Sequence, residues 1–221
     1  MTDYDDRFDD RVQAGQMLAE KLANMQLDAP LIFALPRGGV PVAAEVARRL
    51  GAPMDLILVR KIGAPGNPEL ALGSIAEGAE EEAVVNEDVW LMTGADPLYF
   101  NKAKAEQEAE LARRSQRYLG DRPRLDPSHR NVVVIDDGLA TGATMKAALA
   151  ALRHRGARRI IVGLPVAPAD ALHALDDLAD DVVCLRAEAR FHGVGAFYRD
   201  FHQLSDEETV ALLDRANGRA P

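Results

Sequence analysis

Two adjacent carboxylates, Asp136 and Asp137, close the unbroken apolar run Val132-Val133-Val134-Ile135. They open a loop, Gly138-Leu139-Ala140-Thr141-Gly142-Ala143-Thr144, that passes into a helical pattern of Met145, Ala148, Leu149 and Leu152. Each part has a chemical use. Neighbouring carboxylates accept hydrogen bonds from vicinal hydroxyls. Loop amides and threonine hydroxyls at a helix N-terminus surround an anion, because the unpaired N–H groups and the helix dipole both favour negative charge. A strand, two acids and an anion cradle together suit a sugar phosphate. The bland reading of the same residues is a buried strand, two solvated acids and a capped helix.

Three further stretches carry candidate chemistry. Leu31-Ile32-Phe33-Ala34-Leu35 reads as a buried strand followed by Pro36-Arg37-Gly38-Gly39-Val40-Pro41, with residues 42–50 as the next helix. Paired glycines let a backbone approach an anion without Cβ interference, and Arg37 adds a planar fork of donors matched to phosphate oxygens. Residues 54–59 form the next apolar run and end in Arg60-Lys61. Basic residues at the C-terminal end of a parallel strand lie where open α/β sheets bind ligands, and Lys61 is the better candidate of the pair. Residues 186–201 gather Phe191, His192, Phe197, Tyr198, Arg199, Asp200 and Phe201 in a chain otherwise poor in aromatics. They read equally well as a binding surface and as a satellite hydrophobic cluster.

These residues need a scaffold that brings strand ends together, and the pattern supplies one. Short apolar, β-branched runs alternate with amphipathic stretches throughout, which predicts a doubly wound α/β fold around a parallel sheet. Residues 7–27 form an amphipathic helix, residues 97–119 an exposed charged helix, residues 159–166 and 181–185 further strands. Ser205-Asp206-Glu207-Glu208 is a capping box opening a last helix. At 221 residues the chain fits a single domain, residues 1–221, with residues 62–95 as a turn-rich hairpin region. The formal charge of −9 argues against a general nucleic-acid binder, while leaving an anionic substrate open, because local cations and amides decide that. The lone Cys184 sits in an apolar run and reads as a buried strand residue. No run is long and apolar enough to span a bilayer and no signal-peptide pattern is present, so no membrane partner and a cytoplasmic location are expected.

The stretch from Val132 to Thr144 resembles the binding signature of the type I phosphoribosyltransferases, with Gly138 departing from the usual apolar residue. The resemblance implies phosphoribosyl pyrophosphate as donor, a nucleobase-like acceptor, Mg2+ as cofactor and, as in many members, a homodimer. Asp136 and Asp137 would hold the ribose hydroxyls and, directly or through water, the metal. Ala140, Thr141, Gly142, Ala143 and Thr144 would wrap the 5′-phosphate. Arg37-Gly38-Gly39 is similar to the pyrophosphate loop of purine-salvage members, and Lys61 to a basic residue near pyrophosphate. Residues 62–95 match the position of a mobile loop, and residues 186–221 that of a C-terminal hood. In that hood Phe191 resembles a purine-stacking aromatic and Arg199 a pyrophosphate ligand. Members acting on 6-oxopurines carry an acid where this chain has Ala140, so the usual general base is missing and the acceptor is not named. The resemblance also extends to relatives that sense the donor without catalysis, and hydrolysis of a phosphoribosyl compound is a third reading.

Overall fold

The computed structural model describes residues 7–77 and 83–219. Five strands form the central parallel sheet: β1 (Leu31–Ala34), β2 (Met54–Leu56), β6 (Asn131–Ile135), β7 (Arg159–Pro168) and β8 (Asp181–Glu188), in the order β2-β1-β6-β7-β8. The placement of β1 beside β6 brings the Arg37 loop next to the two carboxylates, with Ala34 opposite Ile135 in the register.

The unbroken apolar runs arise because both faces of this sheet are covered. Ile32, Ala34, Val133 and Ile135 join one core with Leu18 and Leu22 of α1 (Arg11–Ala23) and Val42 and Val46 of α2 (Gly39–Leu50). Leu31, Phe33, Val132 and Val134 turn the other way, toward Met145, Leu149 and Leu152 of α5 (Ala143–His154). Val132 to Ile135 are all fully buried, each worth about 1.5–3 kcal/mol on the usual scale of apolar burial. This interior fixes the backbone from which Asp136 and Asp137 emerge.

One expected element is corrected. The run at residues 54–59 is not one strand ending in Arg60-Lys61. β2 stops at Leu56, and Val59–Ala64 is β3 of a separate antiparallel sheet with β4 (Asn67–Ala76) and β5 (Val84–Val85), in the order β3-β4-β5. The reason lies in the side-chain pattern: Ile62 and Ala64 are buried while Lys61, next to Ile62, is exposed, the mark of a sheet with one covered face. This sheet is anchored, since Ile62 and Leu72 are fully buried. At its base Arg124 Nε donates to Asp55 Oδ2 at 2.9 Å and the same guanidinium pairs with Glu77. A helix not foreseen from the sequence, α3 (Glu87–Thr93), follows, capped by Asn86 and closed by Gly94 at φ 62°. Then comes α4 (Pro97–Leu119).

The C-terminal part continues through α6 (Ala169–His173), a 3-10 turn at Val194–Phe197 and α7 (Asp206–Ala216), which carries the capping box between Ser205 and Glu208. Residues 197–200 are tied to residues 8 and 9 by the backbone. Phe8 N donates to Phe197 O at 2.9 Å, Arg199 N to Phe8 O at 2.8 Å and Asp200 N to Asp9 O at 2.9 Å. Among the described residues no helix is long and apolar enough to cross a membrane.

Candidate active site

The β1–α2 loop lies directly against the carboxylate pair. Leu35 N donates to Ile135 O at 2.9 Å, and Gly39 N to Leu35 O at 3.0 Å. A Cβ on Gly38 would stand 2.0 Å from Asp137 Oδ2, and one on Gly39 would stand 2.6 Å from Ile135 O. Both distances are impossible, so glycine is required by the neighbour and not by a positive φ. The Pro36–Arg37 peptide bond is cis. Because Gly39 N–H is already committed, the loop amides left to face a ligand are those of Arg37 and Gly38. The Arg37 side chain is about one-third exposed and lies 3.9 Å from Asp206 Oδ1 at the start of α7. Asp206 is itself held by Arg117 at 2.7 Å and by the Tyr118 hydroxyl at 2.6 Å.

The loop after the carboxylates ends in a helix start with open donors. Gly142 caps α5 at φ 75° without a side-chain bond. Among the described residues no acceptor takes the amides of Thr141, Gly142, Ala143 or Thr144. Ala140 and Thr141 are exposed at the mouth of this cradle. The departure at Gly138 has a steric cause. A Cβ there would meet Val194 Cγ1 at 2.6 Å and Val166 Cγ1 at 3.1 Å, so the valine from the 3-10 turn fills the space an apolar side chain would occupy.

The carboxylates are half-buried and each has an internal partner. Asp136 Oδ1 accepts from Asp137 N at 2.9 Å, and Asp137 Oδ2 accepts from Arg11 Nε at 2.8 Å. Burial, reinforced by the charge of Asp137, pushes the Asp136 carboxyl well above the usual carboxylate range. Burial also raises Asp137, with the Arg11 guanidinium pulling the other way. The Tyr198 hydroxyl donates to the Asp137 carbonyl at 2.6 Å, and burial raises its pKa too, keeping the phenol protonated.

Arg37, Gly38, Gly39, Asp136, Asp137 and the loop from Ala140 to Thr144 therefore gather around the C-terminal ends of β1 and β6, where open α/β sheets bind ligands. Three other candidates sit on different elements. Lys61 is exposed on β3, opposite Ser74. Phe191 stacks on Phe197 with centroids 5.4 Å apart and planes at 22°. Arg199 pairs with Asp9 at 2.6 Å. Sequence reasoning missed Arg11 and named Tyr198 only as one of the aromatics of residues 186–201. A signal existed for Arg11: with Ala14, Leu18 and Leu22 it falls at helical spacing on the buried face, an unusual place for an arginine without a partner.

Among the described residues no three His, Cys, Asp or Glu side chains cluster to cage a metal. Two adjacent carboxylates without a third ligand fit a hard divalent ion such as Mg2+ only if substrate oxygens and water complete its shell.

These features define an open α/β domain with a carboxylate pair and an uncapped helix start at its strand ends, and sequence comparison gives its family. The chain belongs to the phosphoribosyl transferase domain family, whose model matches residues 9–201. Proteins of two Mycobacterium tuberculosis strains, CDC 1551 and H37Rv, whose names describe them as phosphoribosyl transferases, are 45% identical to it over 210 residues, 95% of this chain. The chain spans about half the length of these curated relatives, 47% of each. The crystal structure of TT1426 from Thermus thermophilus is similar along the whole molecule. It is 46% identical, covers 96% of this chain and 100% of its own, and superposes with a TM-score of 0.84.

Proposed function

We propose that the protein transfers ribose 5-phosphate from phosphoribosyl pyrophosphate to a nitrogenous base, a purine-like base in preference to a pyrimidine, and releases pyrophosphate. The observation that carries this reading is the apposition of Gly38 to Asp137, with a Cβ position 2.0 Å from the carboxylate, beside the unpaired amides at the start of α5. That arrangement offers a hydroxyl acceptor, a 5′-phosphate cradle and a second anion site in one place, the set of groups the donor presents.

In this mechanism the amides and hydroxyls of Thr141 to Thr144 hold the 5′-phosphate at the helix N-terminus. The free oxygens of Asp136 and Asp137 take the ribose hydroxyls and place negative charge beneath a ribosyl centre that becomes cation-like. Arg37 and the amides of Arg37 and Gly38 stabilise the departing pyrophosphate. Magnesium, bound with the donor, would neutralise part of the pyrophosphate charge, the two carboxylates contributing through water. Phe191 would serve the acceptor side, and Lys61 and Arg199 the pyrophosphate. Residues 62–95 would supply the lid, and residues 78–82 of that range lie outside the described residues.

The test is calorimetric titration with phosphoribosyl pyrophosphate and Mg2+, followed by a pyrophosphate-release assay over a panel of bases. Wild-type protein is expected to bind, and Asp137→Asn to bind at least about 100-fold more weakly, since a charged hydrogen-bond acceptor is lost and Arg11 is left unpaired. Normal binding by that variant would sink the site assignment. A second reading, a donor sensor without catalysis, is favoured by exposed Ala140, which leaves no acid at the position of the usual base. Donor binding with no pyrophosphate released for any base would select it.

A further inference from the structure

Arg11 is held at the site by contacts on several sides. Its Nε donates to Asp137 Oδ2 at 2.8 Å, its Nη1 donates to His202 O at 3.0 Å, and its guanidinium carbon stands 3.8 Å from the Phe201 ring centroid. The side chain is only 9% exposed, against 13% for Asp137. Edge and face of the guanidinium are thus both occupied. A lysine could match the charge but not the fork and the stacking together.

The geometry points to Arg11 as a positioning residue for the ribose site, acting through Asp137. This rests on the donor reading above and goes further, because it adds a residue from a different element. Two constraints meet on Asp137 Oδ2: the Gly38 Cβ position lies 2.0 Å from it, and Arg11 Nε donates to it. With Oδ2 held, Oδ1 is the oxygen left for a ribose hydroxyl, and its direction is set before the donor arrives. An acceptor already held in its working direction loses little rotamer freedom on binding. The Tyr198 hydroxyl fixes the main chain of the same residue at 2.6 Å, so side chain and backbone are restrained from different elements. The Asp137 ribose contact is consequently tied to residues 198–202, on the side where the acceptor would enter. Arg11 commits Nε to Asp137 and Nη1 to His202, and so acts on the donor through Asp137.

The prediction concerns the ribose half of the donor, not its phosphates. Affinities for phosphoribosyl pyrophosphate and for inorganic pyrophosphate, each with Mg2+, are measured by calorimetry on wild type, Arg11→Met and Arg11→Lys. Arg11→Met is expected to weaken phosphoribosyl pyrophosphate at least about 10-fold and pyrophosphate less than about 2-fold, with Arg11→Lys intermediate for the former. Equal affinity of wild type and Arg11→Met for phosphoribosyl pyrophosphate overturns the proposal. So does parallel weakening of both ligands, which marks a general disturbance of the fold. If Arg11→Met does not fold, Arg11→Lys carries the same comparison of two ligands, with at least about a 3-fold loss confined to phosphoribosyl pyrophosphate expected. Failure of the wild type to bind phosphoribosyl pyrophosphate removes the donor reading and this inference with it. Binding by wild type that the variants match removes this inference alone.

Discussion

The donor half of the site and the hood half are built in opposite ways. The donor half is two strand–loop–helix units set side by side, and every residue proposed to touch the donor there lies between the end of a strand and the first turn of the helix that follows it. The hood half is a knot of distant pieces: residues 8–11, the 3-10 turn at Val194–Phe197 and residues 198–202 hold one another through backbone bonds and packed rings. The first kind of construction fixes geometry by local backbone and tolerates little change in side-chain size. The second fixes it by long-range packing, and its parts can compensate one another.

That contrast can be tested by steric changes on either side. The largest effect is expected at Gly38, where a methyl group would stand 2.0 Å from Asp137 Oδ2 and 2.5 Å from its Cγ. Gly38→Ala should abolish measurable donor binding and lower stability by about 3 kcal/mol or more in chemical denaturation, since backbone and carboxylate cannot both stay in place. No second-site change should rescue donor binding, because the obstacle is the Asp137 carboxylate that the donor itself needs. Gly138→Val is the counterpart on the hood side, where the obstacle is the Val194 side chain at 2.6 Å. It should cost about 1–3 kcal/mol by overpacking. Here Val194→Ala in the same chain should recover most of the loss. Recovery at Gly38 by any neighbour, or none at Gly138, would erase the distinction between the two halves.

The smallest effect concerns the charge the donor half carries without its ligand. The ionised form of Asp136 is disfavoured by burial and by Asp137, so its folded pKa lies above the unfolded value. Above that folded pKa the free protein bears the full penalty of the buried charge, and the penalty fades as pH falls through it toward the unfolded value. Asp136→Asn should therefore raise the melting temperature of ligand-free protein at neutral pH by about 2–4 °C, the shift that about 1 kcal/mol gives in a chain of this size. The gain should vanish in acid, where wild type is also neutral, and donor binding should weaken. A variant less stable than wild type at neutral pH would contradict the assigned environment of Asp136.

Legibility in the sequence followed the same divide. The run from Val132 to Thr144 could be read because strand, acids, loop and helix are contiguous and each has its own signature. The bounds of α4 were legible because Pro97 opens it and Gly120 closes it, and the capping box at Ser205 declared α7 in the same way. Arg11 could not be assigned a role, because its partner Asp137 lies 126 positions away and only folding brings them together. The strand ending at Leu56 was read too long because Ile57 and Leu58 are buried although they belong to no strand. Gly138 read as a mild exception to a pattern. It became intelligible only when Val194, from another part of the chain, was found in the missing side chain's place.

The tie between Phe8 and Phe197 has a consequence for how the molecule comes into being. On the ribosome, residues 8–11 emerge well before their partners at residues 197–202. At typical synthesis rates of about 5–20 residues per second, the roughly 190 residues between them take on the order of 10–40 s to appear. Through that interval the central strands can pair while Asp137 has no arginine locked beside it and the N-terminal segment has nothing to join. The donor half is thus assembled early and completed late, and a nascent chain lacking its final stretch has the recognisable signature without the finished site.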